Sequence, residues 1–214
     1  MRRLLFSRPD RLLLGETSVS LPGFIPAITG THPLDRMIAP HLLRVSPLGQ
    51  LLSYPSFFIY HGQPAPVLPR TSIDGGSWGV LRRGGTWRRR PDGTAVVDLV
   101  YPRDRVITVT PEELLETQEK HAAAGFTLDI PVPPDCPWDE AHARLQASVE
   151  NARFAAHARN RRCPLLLYAS LPAVGNADEL LRALDEVLAL PVDGVALGGM
   201  ALRRRDWRLC LDLV

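Results

Sequence analysis

Three short segments hold residues whose types and spacing suit chemistry: Ile73-Asp74-Gly75-Gly76-Ser77-Trp78, Asp129-Ile130-Pro131-Val132-Pro133-Pro134-Asp135-Cys136, and Asp193-Gly194-Val195-Ala196-Leu197-Gly198-Gly199-Met200. Each places an acid or a Gly-Gly pair at the end of an apolar, strand-like run, the position at which parallel strands present catalytic groups. Asp74 sets a carboxylate at a strand mouth, and the two glycines after it let the backbone turn sharply and approach a ligand. Such a group can move protons; the bland reading is an ordinary Asp-Gly turn. Asp135 stands in a proline-bracketed loop that can aim a carboxylate at a ligand, or it caps the following helix. Gly198-Gly199 offers bare backbone to a ligand, or only a strand-end turn.

The elements that must position these residues are clearest from Thr110 onward, where apolar runs alternate with helix-period segments, the pattern of βα units on a parallel sheet. A helix is predicted from Pro111 to Ala124, capped by Thr110 with Glu113 completing a capping box and stopped by Gly125. A strand Phe126–Ile130, a helix Trp138–Arg159 and a strand Pro164–Ala169 follow. Asn176 caps a further helix with Leu180, Leu181, Leu184, Val187 and Leu188 on its apolar face; a strand Val192–Leu197 and a helix over Arg203–Leu213 complete the reading. The first hundred residues are rich in proline and glycine and predict strands at Leu21–Thr29, Ser56–Tyr60 and Val67–Ile73. Trp87–Leu99, turning at Pro91-Asp92-Gly93-Thr94, predicts a β-hairpin outside the main sheet. Six strands with interleaved helices fill the chain, whereas a complete eight-stranded β/α barrel takes about 250 residues.

Composition bounds the rest. A chain of 214 residues with 45% hydrophobic content can bury a sizeable core and fits one domain over 1–214. No stretch approaches the roughly 20 apolar residues that span a bilayer, and the start of the chain does not resemble a signal peptide, so the expected compartment is the cytoplasm without membrane association. Three scattered cysteines, Cys136, Cys163 and Cys210, indicate neither a disulfide framework nor a metal site. Net charge is +2, Lys120 is the sole lysine, and arginines cluster at Arg82-Arg83, Arg88-Arg89-Arg90 and Arg203-Arg204-Arg205. Guanidinium groups pair bidentately with phosphate, and Trp87 and Trp207 beside two clusters could stack on bases, so these clusters are candidate nucleic-acid contacts; the alternative is a solvated charged face.

In order and spacing the three segments resemble the tRNA-guanine transglycosylase family, which exchanges guanine in RNA for a 7-deazaguanine of the queuosine or archaeosine type. That family's Asp-Ser-Gly-Gly-aromatic segment resembles Asp74 to Trp78 with the serine displaced to follow the glycines, which implies a general acid/base at Asp74 and a base-stacking ring at Trp78. The family's Asp-Ile-x-x-x-x-Asp-Glu-Cys frame resembles Asp129-Ile130 with Asp135-Cys136, lacking the Glu, and implies base recognition at Asp135 beside Cys136. Its Asp-Gly-x-x-x-Gly-Gly-Leu resembles Asp193 to Met200, implying backbone contact with the heterocycle at Gly198, Gly199 and Met200. Ser148 and Arg153 resemble the helix after the recognition loop, and Tyr60-His61 an early strand.

The resemblance implies a TIM-type (β/α) barrel, which the strand count leaves incomplete at about six of eight strands with a β-hairpin insertion, and tRNA (or DNA) and a guanine or 7-deazaguanine base as partners; the unpaired edge of the last predicted strand, Val192–Leu197, predicts homo- or hetero-oligomeric assembly. Two departures stand out. Ala169-Ser170-Leu171-Pro172 occupies the place of a Gln-Gly-Gly that helps hold the base, and the family's nucleophilic aspartate and zinc site correspond to positions beyond Val214, leaving no metal or cofactor assigned to the 214 residues. Two alternatives stay open: a non-catalytic RNA-binding accessory subunit, and an unrelated barrel enzyme whose Gly198-Gly199 binds phosphate.

Overall fold

A computed structural model describes residues 11–14, 17–20, 25–28, 37, 41, 49–55, 70–78, 84–101 and 105–199. Strands β1 (Arg11–Leu14) and β2 (Thr17–Ser20) pair antiparallel as a separate two-stranded sheet. The main sheet contains β3 (Ala27–Ile28), β4 (Leu51–Ser53) and β5 (Ser72–Asp74), and after an antiparallel sheet β6 (Thr86–Arg89), β7 (Ala95–Tyr101) and β8 (Arg105–Val109), it resumes beyond helix α1 (Pro111–His121). Its later members are β9 (Ala124–Phe126), β10 (Leu166–Pro172), reached through α2 (Trp138–Ala158), and β11 (Gly194–Gly198), reached through α3 (Ala177–Leu188). Neighbours run β3-β4-β5-β9-β10-β11, in chain order, and all five pairings are parallel. Parallel neighbours need a long crossover, and helices α1 to α3 supply three of them while covering the sheet. Accordingly β10 buries Leu167, Ala169 and Leu171 completely.

Local chemistry accounts for the helix limits. The Thr110 hydroxyl accepts from Glu113 N, Pro111 stands in the first turn, and acids at Glu112 and Glu113 face Lys120 and His121 at the far end, matching the helix dipole. The helix stops at His121 rather than at Gly125, because Ala122 turns extended and Gly125 is already inside β9. There a side chain is excluded: a Cβ at Gly125 would stand 2.6 Å from Gln118 Cδ. Asn176 caps α3 through Asp178 N and Glu179 N, whereas α2 starts at Pro137 with no side-chain cap, so Asp135 does not cap it.

The inserted antiparallel sheet contains the anticipated hairpin, turning at Pro91–Gly93, and a third strand, β8, that the periodicity reading did not separate. It is not a detached flap. Ala95, Val97, Leu99 and Val109 share one buried cluster with Ile73, Leu114, Leu128, Ile130 and Ala147 from the parallel sheet and helices. Asn151, fully buried on α2, accepts from Ala95 N (2.7 Å) and donates to Ala95 O (3.1 Å) and Leu128 O (2.9 Å), joining the insertion to the segment after β9. Trp87 Nε1 donates to Glu140, and the Arg144 guanidinium lies 5.5 Å from the Trp87 ring centre. The predicted strand at Ser56–Tyr60 and helix at Arg203–Leu213 lie outside the described residues, as do Tyr60 and His61.

Candidate functional site

At the carboxyl ends of the parallel strands lies a cavity of about 280 Å³. Asp74, Gly76, Ser77 and Trp78 reach it from the end of β5, Phe126, Asp129 and Pro131 from β9 and the segment beyond, Ser170 from β10, and Gly198 and Gly199 from the end of β11. Each polar group is held by a specific local device. Asp74 Oδ1 accepts from Gly76 N at 2.8 Å, closing a turn that Gly76 completes at φ +64; a Cβ there would be strained and would stand 2.7 Å from Pro55 Cδ. The next residue, Ser77, donates its hydroxyl to Asp129 Oδ1 at 3.0 Å, linking the two acid-bearing segments. On the far side, a Cβ at Gly198 would stand 3.0 Å from Asp129 Oδ2, so glycine there lets the carboxylate approach the strand end.

The segment around Asp129 is extended but not loose. Gln118 Nε2 donates to Phe126 O (2.8 Å) and Ile73 O (2.9 Å), and Thr127 Oγ1 accepts from Ser170 N (2.8 Å). Asn151 holds Leu128 O, Ser148 Oγ accepts from Ile130 N (2.8 Å), and Arg144 donates to Pro131 O (2.7 Å). Backbone groups outside regular pairing are thereby satisfied by buried side chains, and Asp129 is presented from a fixed base. Ser148 thus has a structural task behind the cavity, while Arg153 is engaged with Glu150 and Glu186 at the surface.

Electrostatically, no arginine, lysine or histidine among the described residues lines the cavity beside the two acids. Burial pushes the Asp74 carboxyl up to about 7; the Gly76 N–H opposes that rise, and the Asp129 charge adds to it. Burial also raises Asp129, opposed by the Ser77 hydroxyl. Near neutrality Asp74 therefore exists in both protonation states, the condition for a group that gives and takes protons.

The structure brings Asp74, Trp78, Gly198 and Gly199 together, as their positions at strand ends imply. Asp135 and Cys136 do not join them. Pro134-Asp135 forms an exposed turn in front of α2, and Cys136 packs against the cluster between α2, α3 and β10. The acid that faces Asp74 is instead Asp129, six residues earlier, because the chain leaves the cavity at Pro131 and turns toward the helix. Asp129, Ser77, Phe126 and Ser170 were not assigned as site residues from the sequence; the usable signal was Asp129 directly after the apolar run Phe126-Thr127-Leu128. Met200 and Arg203 to Arg205 lie outside the described residues. Arg82 and Arg83 lie outside them too, and the Arg88–Arg90 cluster is engaged locally: Arg88 pairs with Asp98 (2.5 Å), Arg90 with Glu112 (2.6 Å), and Arg89 donates to Gly93 O (3.2 Å).

Among the described residues no group of three His, Cys, Asp or Glu side chains is arranged to hold a metal, and no helix is long and apolar enough to cross a membrane. Neither a protein-family model nor a curated protein matches the chain.

Proposed function

We propose that this cavity is the base-binding and proton-transfer site of a tRNA-guanine transglycosylase-like protein built on a β/α barrel. The observation that carries the reading is the pairing of two partly buried carboxyls, Asp74 and Asp129, in one cavity that no cation among the described residues lines; burial pushes both carboxyls up, Asp74 to about 7. The sequential, all-parallel order of the six strands supports the barrel.

The arrangement suits a planar heterocycle. Trp78 and Phe126 line the cavity with aromatic surface, and Phe126 is braced by Tyr168 at a ring separation of 5.4 Å. An ionised Asp129 accepts from N–H donors on the edge of a guanine-like base, a charge-assisted bond that a less polar base cannot make. Breaking an N-glycosidic bond leaves a base that must gain a proton, and the incoming base must lose one; Asp74, titrating near neutrality, serves both directions. The polymer carrying the exchanged base is tRNA in this reading. It assigns binding and proton transfer to the cavity and a nucleophile to no described residue.

One observation favours the accessory-subunit reading beside it: β10 brings Ser170 to the cavity where the resembling family has a glutamine and two glycines. Calorimetric titration with 7-deazaguanine tests the main proposal. Wild type should bind, and Asp129→Asn should bind about 10- to 100-fold more weakly, the equivalent of losing a hydrogen bond to a charged acceptor, with circular dichroism unchanged. Absence of binding to wild type overturns the proposal. Binding without base exchange into tRNA selects the accessory reading.

A further inference from the structure

We infer that Ser77 is a positioning residue: its hydroxyl, donated to Asp129 Oδ1, orients the Asp129 carboxylate in the cavity, in space that glycine at position 198 leaves open. The inference extends the base-binding reading above, on which its consequence for ligand affinity rests.

The argument begins with one turn. Consecutive residues Gly76 and Ser77 hold the two acids by different donors, Gly76 N–H on Asp74 Oδ1 at 2.8 Å and Ser77 O–H on Asp129 Oδ1 at 3.0 Å. Ser77 is 6% exposed, so its hydroxyl has little water to turn to and the bond to Asp129 satisfies it. That bond spans 52 positions of sequence and is the polar tie between the β5 turn and the segment after β9. On the opposite side glycine at position 198 leaves room for the carboxylate, since a Cβ there would stand 3.0 Å from Oδ2. The carboxylate thus accepts from the Ser77 hydroxyl and from its own backbone N–H, with Oδ2 beside the cavity's glycine rim.

Among the described residues the surroundings of Asp129 contribute little else that is charged. Asp74 faces it from β5; Ser170 on β10 and Gly198 and Gly199 on β11 carry no titratable group; and behind its own segment α1 presents Gln118 while α2 presents Ser148, Asn151 and Arg144, the last engaged with Pro131 O and Glu140. The Ser77 hydroxyl favours the charged form of Asp129 against the burial that opposes it. Without it the backbone N–H of Asp129 is the remaining favourable contact set against burial, and the carboxyl rises further.

The test reads Asp129 directly in the full chain without ligand. With ¹³C-labelled aspartate, the Asp129 carboxyl resonance, identified by its loss in Asp129→Asn, is followed against pH. In Ser77→Ala its midpoint should rise by about one pH unit, the size expected for removing one hydrogen bond to a charged group, while Ser77→Thr, which keeps the hydroxyl, should restore the wild-type midpoint. If Ser77→Ala does not fold, Ser77→Cys, a weak donor, replaces it with the same expectation. A purely structural serine would leave the midpoint in place, and an unmoved midpoint in a folded Ser77→Ala or Ser77→Cys overturns the inference. A second titration, of 7-deazaguanine binding against pH, should show the acidic limb moving upward in parallel. A moved carboxyl midpoint with no binding to wild type keeps the Ser77–Asp129 assignment and removes the base-binding reading, so the two fail separately.

Discussion

Two polar regions of this chain treat charge in opposite ways. On the antiparallel sheet, Arg88 and Asp98 meet across β6 and β7, Thr108 adds its hydroxyl to the same carboxylate, and Arg90 reaches Glu112 on α1, so neighbouring opposite charges neutralise one another at the surface. At the carboxyl ends of the parallel sheet, Asp74 and Asp129 share a cavity that no cation among the described residues lines, and they accept from the Gly76 N–H and the Ser77 hydroxyl respectively. In the first arrangement Arg90 helps hold Glu112 below the usual carboxylate range, whereas in the second burial raises both carboxyls. Burial without a counter-charge, rather than the number of charges, distinguishes a site from a charged face.

Substitutions can break or sharpen that contrast. The largest effect should follow Asp74→Asn: incorporation of radiolabelled guanine into tRNA should fall by about 10²- to 10⁴-fold, the usual contribution of a positioned acid/base, with 7-deazaguanine affinity changed far less. Unaltered incorporation would remove Asp74 from the chemistry. Next in size is Asn151→Ala, which leaves Ala95 N–H and the Ala95 and Leu128 carbonyls unpaired in the core and should cost about 1–3 kcal/mol in urea unfolding. A neutral result would mean that the insertion and the cavity floor are not joined through this amide.

A pH effect comes third. Because the folded Asp74 carboxyl holds its proton up to about 7 while the unfolded one releases it near 3.8, the folded chain binds the extra proton between those values. Its stabilising contribution is full below the unfolded pKa and is lost as pH rises through about 7. Urea unfolding at pH 5 and pH 8 should therefore show wild type losing more stability than Asp74→Asn; equal losses would contradict the raised carboxyl. The smallest effect belongs to the other region: Arg88→Ala, removing a well-exposed ion pair, should change stability by no more than about 1 kcal/mol at any pH from 5 to 8.

Much of the parallel half was legible because local rules and tertiary demands agree there. Thr110, Pro111 and Asn176 mark helix starts that the structure keeps, and the strand predicted over Pro164–Ala169 is found as Leu166–Pro172. The early strands were harder: β4 has three residues, Leu51–Ser53, too few for a two-residue period to declare itself. Strand β8 adjoins the capping sequence of α1, and its exposed Arg105, Val106 and Thr108 give no clean alternation.

The sequence by itself determined where acids and glycines stand relative to apolar runs, because a carboxylate after a strand and a glycine at a tight turn are consequences of short-range sterics and solvation. Those local facts placed Asp74, Trp78, Gly198 and Gly199 at strand ends. Only the tertiary structure decided which second acid joins them. Asp129 and Asp135 both follow the same strand-like run, and choosing between them depends on where the chain leaves the cavity: Ser148, Asn151 and Arg144 of a helix still to come anchor residues 128 to 131, and Ser77 reaches Asp129 from 52 positions away. Such contacts between distant segments leave no local pattern, and they fix which carboxylate is buried beside Asp74 and which is left in water.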